Sequence, residues 1–217
     1  MSTLTQDPPP SRASAGACEG LLADHYYALF NWLRSNVDLS GLPLKTIGVT
    51  TCTAGAGAST VAWNLAVVAA QNSDQRVLLL DLSGLEIEQA SEQATPAALA
   101  AAVKNPGDWV TASTVPNLSL LKVGDARSGQ ELSVDYGNVG DFLRLLQNDF
   151  GMLIVDLPTA ESNLCFGAAG SADGVLLVIE AEETPCQSAE RAVRRLNYAH
   201  ANVLGIILNK YPEHMPE

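Results

Sequence analysis

The chain has 217 residues, 47% of them hydrophobic, with 12 basic against 24 acidic side chains and a formal net charge of −12 at neutral pH. That length suits one domain of ordinary size, or one domain with a tail, and its apolar content is enough for a core. The acidity excludes an extended nucleic-acid surface, which needs clustered Lys and Arg. No apolar run approaches the roughly 18 residues of a membrane span, and the start lacks the basic and then apolar pattern of a secretory signal.

Residues 1–18 are rich in Pro, Ser, Thr and Ala and read as a disordered tail, leaving residues 19–217 as one domain. Leu21 to Val37 reads as an amphipathic helix, with Leu22, Tyr26, Leu29, Phe30 and Leu33 recurring at three- and four-residue steps. Gly41 and Pro43 break it. Leu44 to Thr51 is a short β-prone run, in which Ile47 and Val49 alternate, and Ser59 to Ala70 is rich in helix formers and apolar residues.

Between that strand and that helix lies a glycine-rich turn. Val49 to Thr60 reads VTTCTAGAGAST, against the phosphate-loop pattern G-x-x-x-x-G-K-[ST]. Gly57 holds the second glycine position, Ser59 the magnesium-ligand position, and Ala58 stands where lysine belongs. Strand, glycine-rich turn and helix is the context the motif requires. The backbone N–H groups of Gly55 to Ser59 are expected to face an anion, helped by the helix N-terminus. A tight strand-to-helix turn of any α/β protein is the plainer reading of the same residues.

Further along, Arg76 to Asp81 is an apolar run ending in a carboxylate, Ala97 to Lys104 reads as helix, and Leu118 to Val123 as strand. Val139 to Phe150 reads as helix, and Gly151 to Asp156 is a second apolar run ending in Asp. Gly174 to Glu180 is a strand, Thr184 to Ala199 a helix and Val203 to Leu208 a last strand. Near-continuous apolar strands are buried on both faces, as parallel sheets require. The alternation predicts a doubly wound α/β fold with a mostly parallel sheet, of the P-loop NTPase type. Ligands bind beyond the carboxyl ends of such strands, so Gly55, Asp81 and Asp156 are expected at one edge. An aspartate there holds magnesium or its waters in nucleotide hydrolases, or serves only as a helix cap or turn residue.

The cysteines at 18, 52, 165 and 186 form no C-x-x-C pair and read as reduced thiols. His25, His200 and His214 are scattered, so no metal cluster is expected. Arg191, Arg194 and Arg195, the one local basic cluster, read as the solvated face of a helix.

The order and spacing of these segments, from about Ala23 onward, resemble the bacterial tyrosine autokinases. These are P-loop ATPases that serve membrane polysaccharide co-polymerases in capsule and exopolysaccharide export, and they are related to MinD and ParA. Val49–Thr60 is similar to that family's VTSxxPGEGKST, Val77–Ser83 to its hhhhDxD segment, and Asp149–Pro158 (DFGMLIVDLP) to its YDYVIIDTPP. Val115–Leu121 (VPNLSLL), Ala172–Val178 and Leu204–Asn209 match its later strands.

The resemblance implies a nucleotide site at Gly55, Ala56, Gly57, Ala58, Ser59 and Thr60, with Asn209 at the base and magnesium at Ser59, Asp81 and Asp156. The departures fall on that chemistry. Ala58 replaces the loop lysine, Ala56 a glutamate, and Ser83 the second aspartate of hhhhDxD. Thr53 stands where the partition ATPases carry a signature lysine. Lys45 lies at the wrong end of the loop strand, and Lys210 on the base side, so neither reads as a substitute. Ala28 and Asn31 replace the Glu and first Arg of the assembly motif, leaving Arg34, and the terminal tyrosine cluster is reduced to Tyr211.

The resulting expectation is a degenerate, kinase-like adaptor or regulator in polysaccharide synthesis or export. It has no catalytic residue, with Asp81 and Asp156 as ancestral positions, and no required cofactor beyond weakly bound ATP or ADP with magnesium. It is expected to be cytoplasmic, a monomer or small oligomer, and to reach the inner membrane only through a co-polymerase's cytoplasmic end or an active kinase paralogue. Two other readings stand beside it: an active kinase or ATPase with a non-standard loop, and a MinD-like positioning factor.

Overall fold

A computed structural model describes residues 21–83, 110–122 and 139–211. The expected tail at 1–18 and helix at 97–104 lie outside these residues. The described elements, in chain order, are α1 (Leu21–Ser35), β1 (Thr46–Thr51), α2 (Ala58–Gln71), β2 (Val77–Asp81), β3 (Thr111–Ala112), β4 (Leu118–Lys122), α3 (Val139–Asp149), β5 (Met152–Asp156), α4 (Asn163–Ala169), β6 (Gly174–Glu180), α5 (Cys186–Tyr198) and β7 (Val203–Asn209).

The strands form one sheet in the order β3-β4-β2-β5-β1-β6-β7. Every pairing is parallel except the short edge pair of β3 with β4. Period-two alternation sends successive strand residues to opposite faces, and both faces are covered. Leu78, Leu80, Leu153, Val155, Val175 and Leu177 pack with α3, α4 and α5. Ile47, Val49, Val77, Leu79, Ile154, Leu176 and Val178 pack with α1 and α2. Both faces of the central strands therefore need apolar residues, and this is why they read as unbroken apolar runs.

Elements not foreseen are α4, only seven residues long, and β3, only two. Boundaries shift for local reasons. α1 stops at Ser35 because the chain turns at Asp38, whose carboxylate accepts from Ser40 N and Leu42 N at 2.8 Å each. α5 starts at Cys186 because Pro185 is its N-cap, where a missing N–H costs nothing. Gly48 is fixed by packing, since a Cβ there would lie 2.8 Å from Leu157 Cδ1.

Candidate phosphate-binding site

Three adjacent parallel strands end together at the site. The register sets Asp156 opposite Val49 on one side and Asp81 on the other. The segment after β5 is laced to β1: Leu157 N donates to Val49 O at 2.9 Å, Ala160 N to Thr51 O at 2.8 Å, and Thr50 Oγ1 to Pro158 O at 2.7 Å. The loop after β1 and the two strand-end aspartates thus share one edge of the sheet, as the sequence predicts.

The loop turns through two left-handed glycines, Gly55 at φ +88° and Gly57 at φ +94°, a conformation that costs other residues a Cβ clash. Gly57 is the N-cap of α2, which has no side-chain cap and no acidic residue in its first turn. The first N–H groups of a helix have no partner within it, and the ladder here opens with Val61 N to Gly57 O at 3.0 Å. By contrast, the start of α4 is closed by Ser162, whose hydroxyl accepts from Leu164 N at 3.2 Å. The start of α2 is therefore shaped to take an anion on its amides.

Gly57 answers a second demand. A Cβ on it would lie 2.2 Å from Asn209 Nδ2, because the end of β7 presses on the loop. Asn209 Nδ2 donates to Ala56 O, and Lys210 Nζ to Gly55 O, both at 2.9 Å. Lys210, read from the sequence as lying on the base side, is bonded to the loop itself. Asn209, expected at a base, also makes its contact with the loop backbone. Lys45 does lie at the far end of β1, where its N–H donates to Asp173 Oδ2 at 2.8 Å.

At the lysine position, Ala58 is a methyl group only 6% exposed, and Ala56 is fully buried. Ser59 is half-buried and Thr60 exposed. Asp81 Oδ1 accepts from Ser83 N at 3.0 Å and from Ser83 Oγ at 2.7 Å. The serine in place of the second aspartate thus hydrogen-bonds the first. Asp156 is 4% exposed. The described residues hold no group of three or more His, Cys, Asp or Glu able to grip a metal by themselves. Magnesium binds nucleotide sites through one or two carboxylates and the substrate phosphates, and that demand is compatible with Ser59, Asp81 and Asp156. The residues present fit a polyphosphate in backbone shape, while the loop itself carries no cation.

Cys165 sits below the loop strand, with Sγ 3.4 Å from Thr50 Oγ1. Burial pushes its thiol up to about 11, despite that hydrogen bond and the nearby Arg195 charge, so it stays protonated and inert at neutral pH. Burial also raises the half-buried Cys52 thiol next to the loop. Of the basic cluster, Arg191 and Arg194 are solvated, each 67% exposed. Arg195 differs: it donates to Asn163 Oδ1 at 2.9 Å and lies 5.8 Å from the Phe166 ring centroid, joining α5 to α4.

The family that matches residues 44–207 is described as cellulose biosynthesis protein BcsQ. Tyrosine-protein kinase CpsD of Streptococcus agalactiae serotype Ia is 25% identical over 192 residues, 85% of this chain and 82% of its own. The kinase domain of the Escherichia coli tyrosine kinase ETK superposes with a TM-score of 0.68 at 18% identity, over 90% of this chain and 78% of that one. The septum site-determining protein MinD of Pyrococcus horikoshii, complexed with Mg-ADP, gives 0.59 at 20% identity, over 77% and 70%. Those two likenesses establish the fold, and the match over residues 44–207 establishes the family. The chain belongs to the cellulose biosynthesis protein BcsQ family, with the fold of the P-loop ATPases that include the bacterial tyrosine kinases and MinD.

Proposed function

We propose that this chain is a non-catalytic, kinase-like adaptor in exopolysaccharide synthesis or export, acting through its surface rather than through phosphoryl transfer. The polysaccharide context comes from the family's description, and the kinase likeness from tyrosine-protein kinase CpsD, which is of similar sequence. The observation that carries the non-catalytic reading is Ala58, a nearly buried methyl at the position of the phosphate-neutralising lysine. The Ser83 hydrogen bonds to Asp81 support it.

Its partner is the cytoplasmic end of a membrane polysaccharide co-polymerase, or an active kinase of the same fold. Among the described residues no helix is long and apolar enough to cross a membrane, so membrane contact is assigned to the partner. The assembly motif of the first helix is weakened in a specific way. Ala28 and Asn31 cannot supply the bidentate Arg–carboxylate pairing that fixes geometry, and Arg34 lies 5.6 Å from the ring centroid of Phe30 on its own helix. A monomer or small oligomer follows, in place of a closed ring. Affinity capture of the full chain from its native cell is expected to recover an envelope or polysaccharide-export component. Recovery of none would count against the adaptor.

A second reading, an active nucleotide hydrolase, gains from one observation only, the Lys210 ammonium on the loop. Phosphate release by the purified chain decides between the two.

A further inference from the structure

The loop has lost its lysine, yet an ammonium from the end of the last strand is bonded to it. At the end of β7, Asn209 and Lys210 contact two successive loop carbonyls, those of Ala56 and Gly55. In a regular strand, neighbouring side chains point to opposite faces. Lys210 has a φ of +56°, a left-handed backbone that few non-glycine residues adopt. Breaking the alternation lets both side chains reach the loop. Such departures at a site mark a role worth testing.

The ammonium is shared. Its second partner is Glu180 Oε1 at 2.9 Å, on the neighbouring strand in register with Asn209. An ammonium carries three donors, and these two contacts place two of them. Lys210 is 49% exposed and Glu180 24%, so this pair is open to solvent and to exchange. Its loop partner, Gly55, lies three residues before the start of α2, which has no side-chain cap. The combination is an uncapped helix start with one ammonium on the loop before it, shared with one carboxylate.

We propose that Lys210 is the phosphate-neutralising cation of this site, supplied from the last strand in place of the residue that Ala58 has replaced, with Glu180 competing for it. The ligand class is a compound with two or more linked phosphates: a nucleoside di- or triphosphate, or inorganic pyrophosphate. A ligand draws Lys210 Nζ away from Glu180 while the Asn209 contact holds the loop. The inference deepens the reading given above and rests on the loop's having kept its anion-binding shape. A cation tethered at Gly55, outside helix α2, serves binding without restoring a charge at position 58.

The test is calorimetry on the full chain with ADP, ATP and sodium pyrophosphate, paired with amide hydrogen exchange over residues 53–61. Lys210→Met is expected to weaken binding by about tenfold to a hundredfold, the worth of one charge-assisted contact, and to abolish ligand protection of the loop. Lys210→Arg keeps most of the affinity, and Glu180→Gln increases it. Adding Ala58→Lys to Lys210→Met restores both affinity and protection, showing that the single variant is folded and short of a charge. Equal affinity for ADP and pyrophosphate identifies linked phosphates as the ligand, and preference for ADP identifies a nucleotide. Unchanged affinity in Lys210→Met, or no binding by either the parent or Ala58→Lys, overturns the assignment. Phosphate release in the same samples is read separately. Turnover by the parent chain contradicts the adaptor and leaves Lys210 as the binding cation.

Discussion

Phe30→Ala is expected to cost about 3–5 kcal/mol of folding free energy, the range for truncating a buried aromatic. Phe30 is 1% exposed and packs with Tyr26 and Leu33 in the cluster that α1 shares with α2 and the sheet. α1 precedes the glycine-rich loop in sequence and resembles an assembly helix, yet its inner face belongs to the core. For a chain of this size the loss should lower the melting temperature by about 6–20 °C. Trp32, on the same helix, is 44% exposed, and Trp32→Ala should move stability far less, because surface changes usually stay within about 0.5 kcal/mol. Urea denaturation of the two variants checks this. Equal stability of Phe30→Ala and the parent would mean that α1 does not dock as described.

Ala58→Lys is expected to tighten ATP binding by about tenfold to a hundredfold, as one charge-assisted hydrogen bond of roughly 1.5–3 kcal/mol would. It returns a cation to the helix start whose amides carry no side-chain cap. The gain should appear in affinity without restoring turnover, because the second aspartate remains Ser83, whose hydroxyl bonds Asp81. Calorimetry showing no gain in the folded variant would mean that the loop is only a strand-to-helix turn.

Much of this site is legible in the sequence, for physical reasons. Parallel strands in one sheet end at one edge, so apolar runs closing in Asp81 and Asp156 must converge with the loop that follows Val49, and they do. Gly55 and Gly57 signal left-handed turns because a Cβ is costly there. The contacts of Asn209 and Lys210 are hidden from the sequence: they link residues 153 and 155 positions apart and depend on a left-handed backbone at a lysine. α4 spans seven residues, too few for a helical period to show, although Ser162 before Asn163 is a readable cap. Arg195 shares the spacing of Arg191 and Arg194, and only the packing of α5 on α4 sets it apart.

On the reading proposed above, the chain does not transfer phosphate. A cation on the transferring phosphoryl group is worth on the order of 10³–10⁵ in rate; Ala58 supplies none there, and Lys210, bonded to Gly55 O, is proposed to serve binding only. The most direct test is phosphate release and phosphotyrosine formation by the purified full chain with ATP and magnesium, alone and with its captured partner. The expected result is no phosphate above background and no phosphotyrosine on the chain. Phosphate release or autophosphorylation by the parent chain, abolished by Asp81→Asn, would contradict the account.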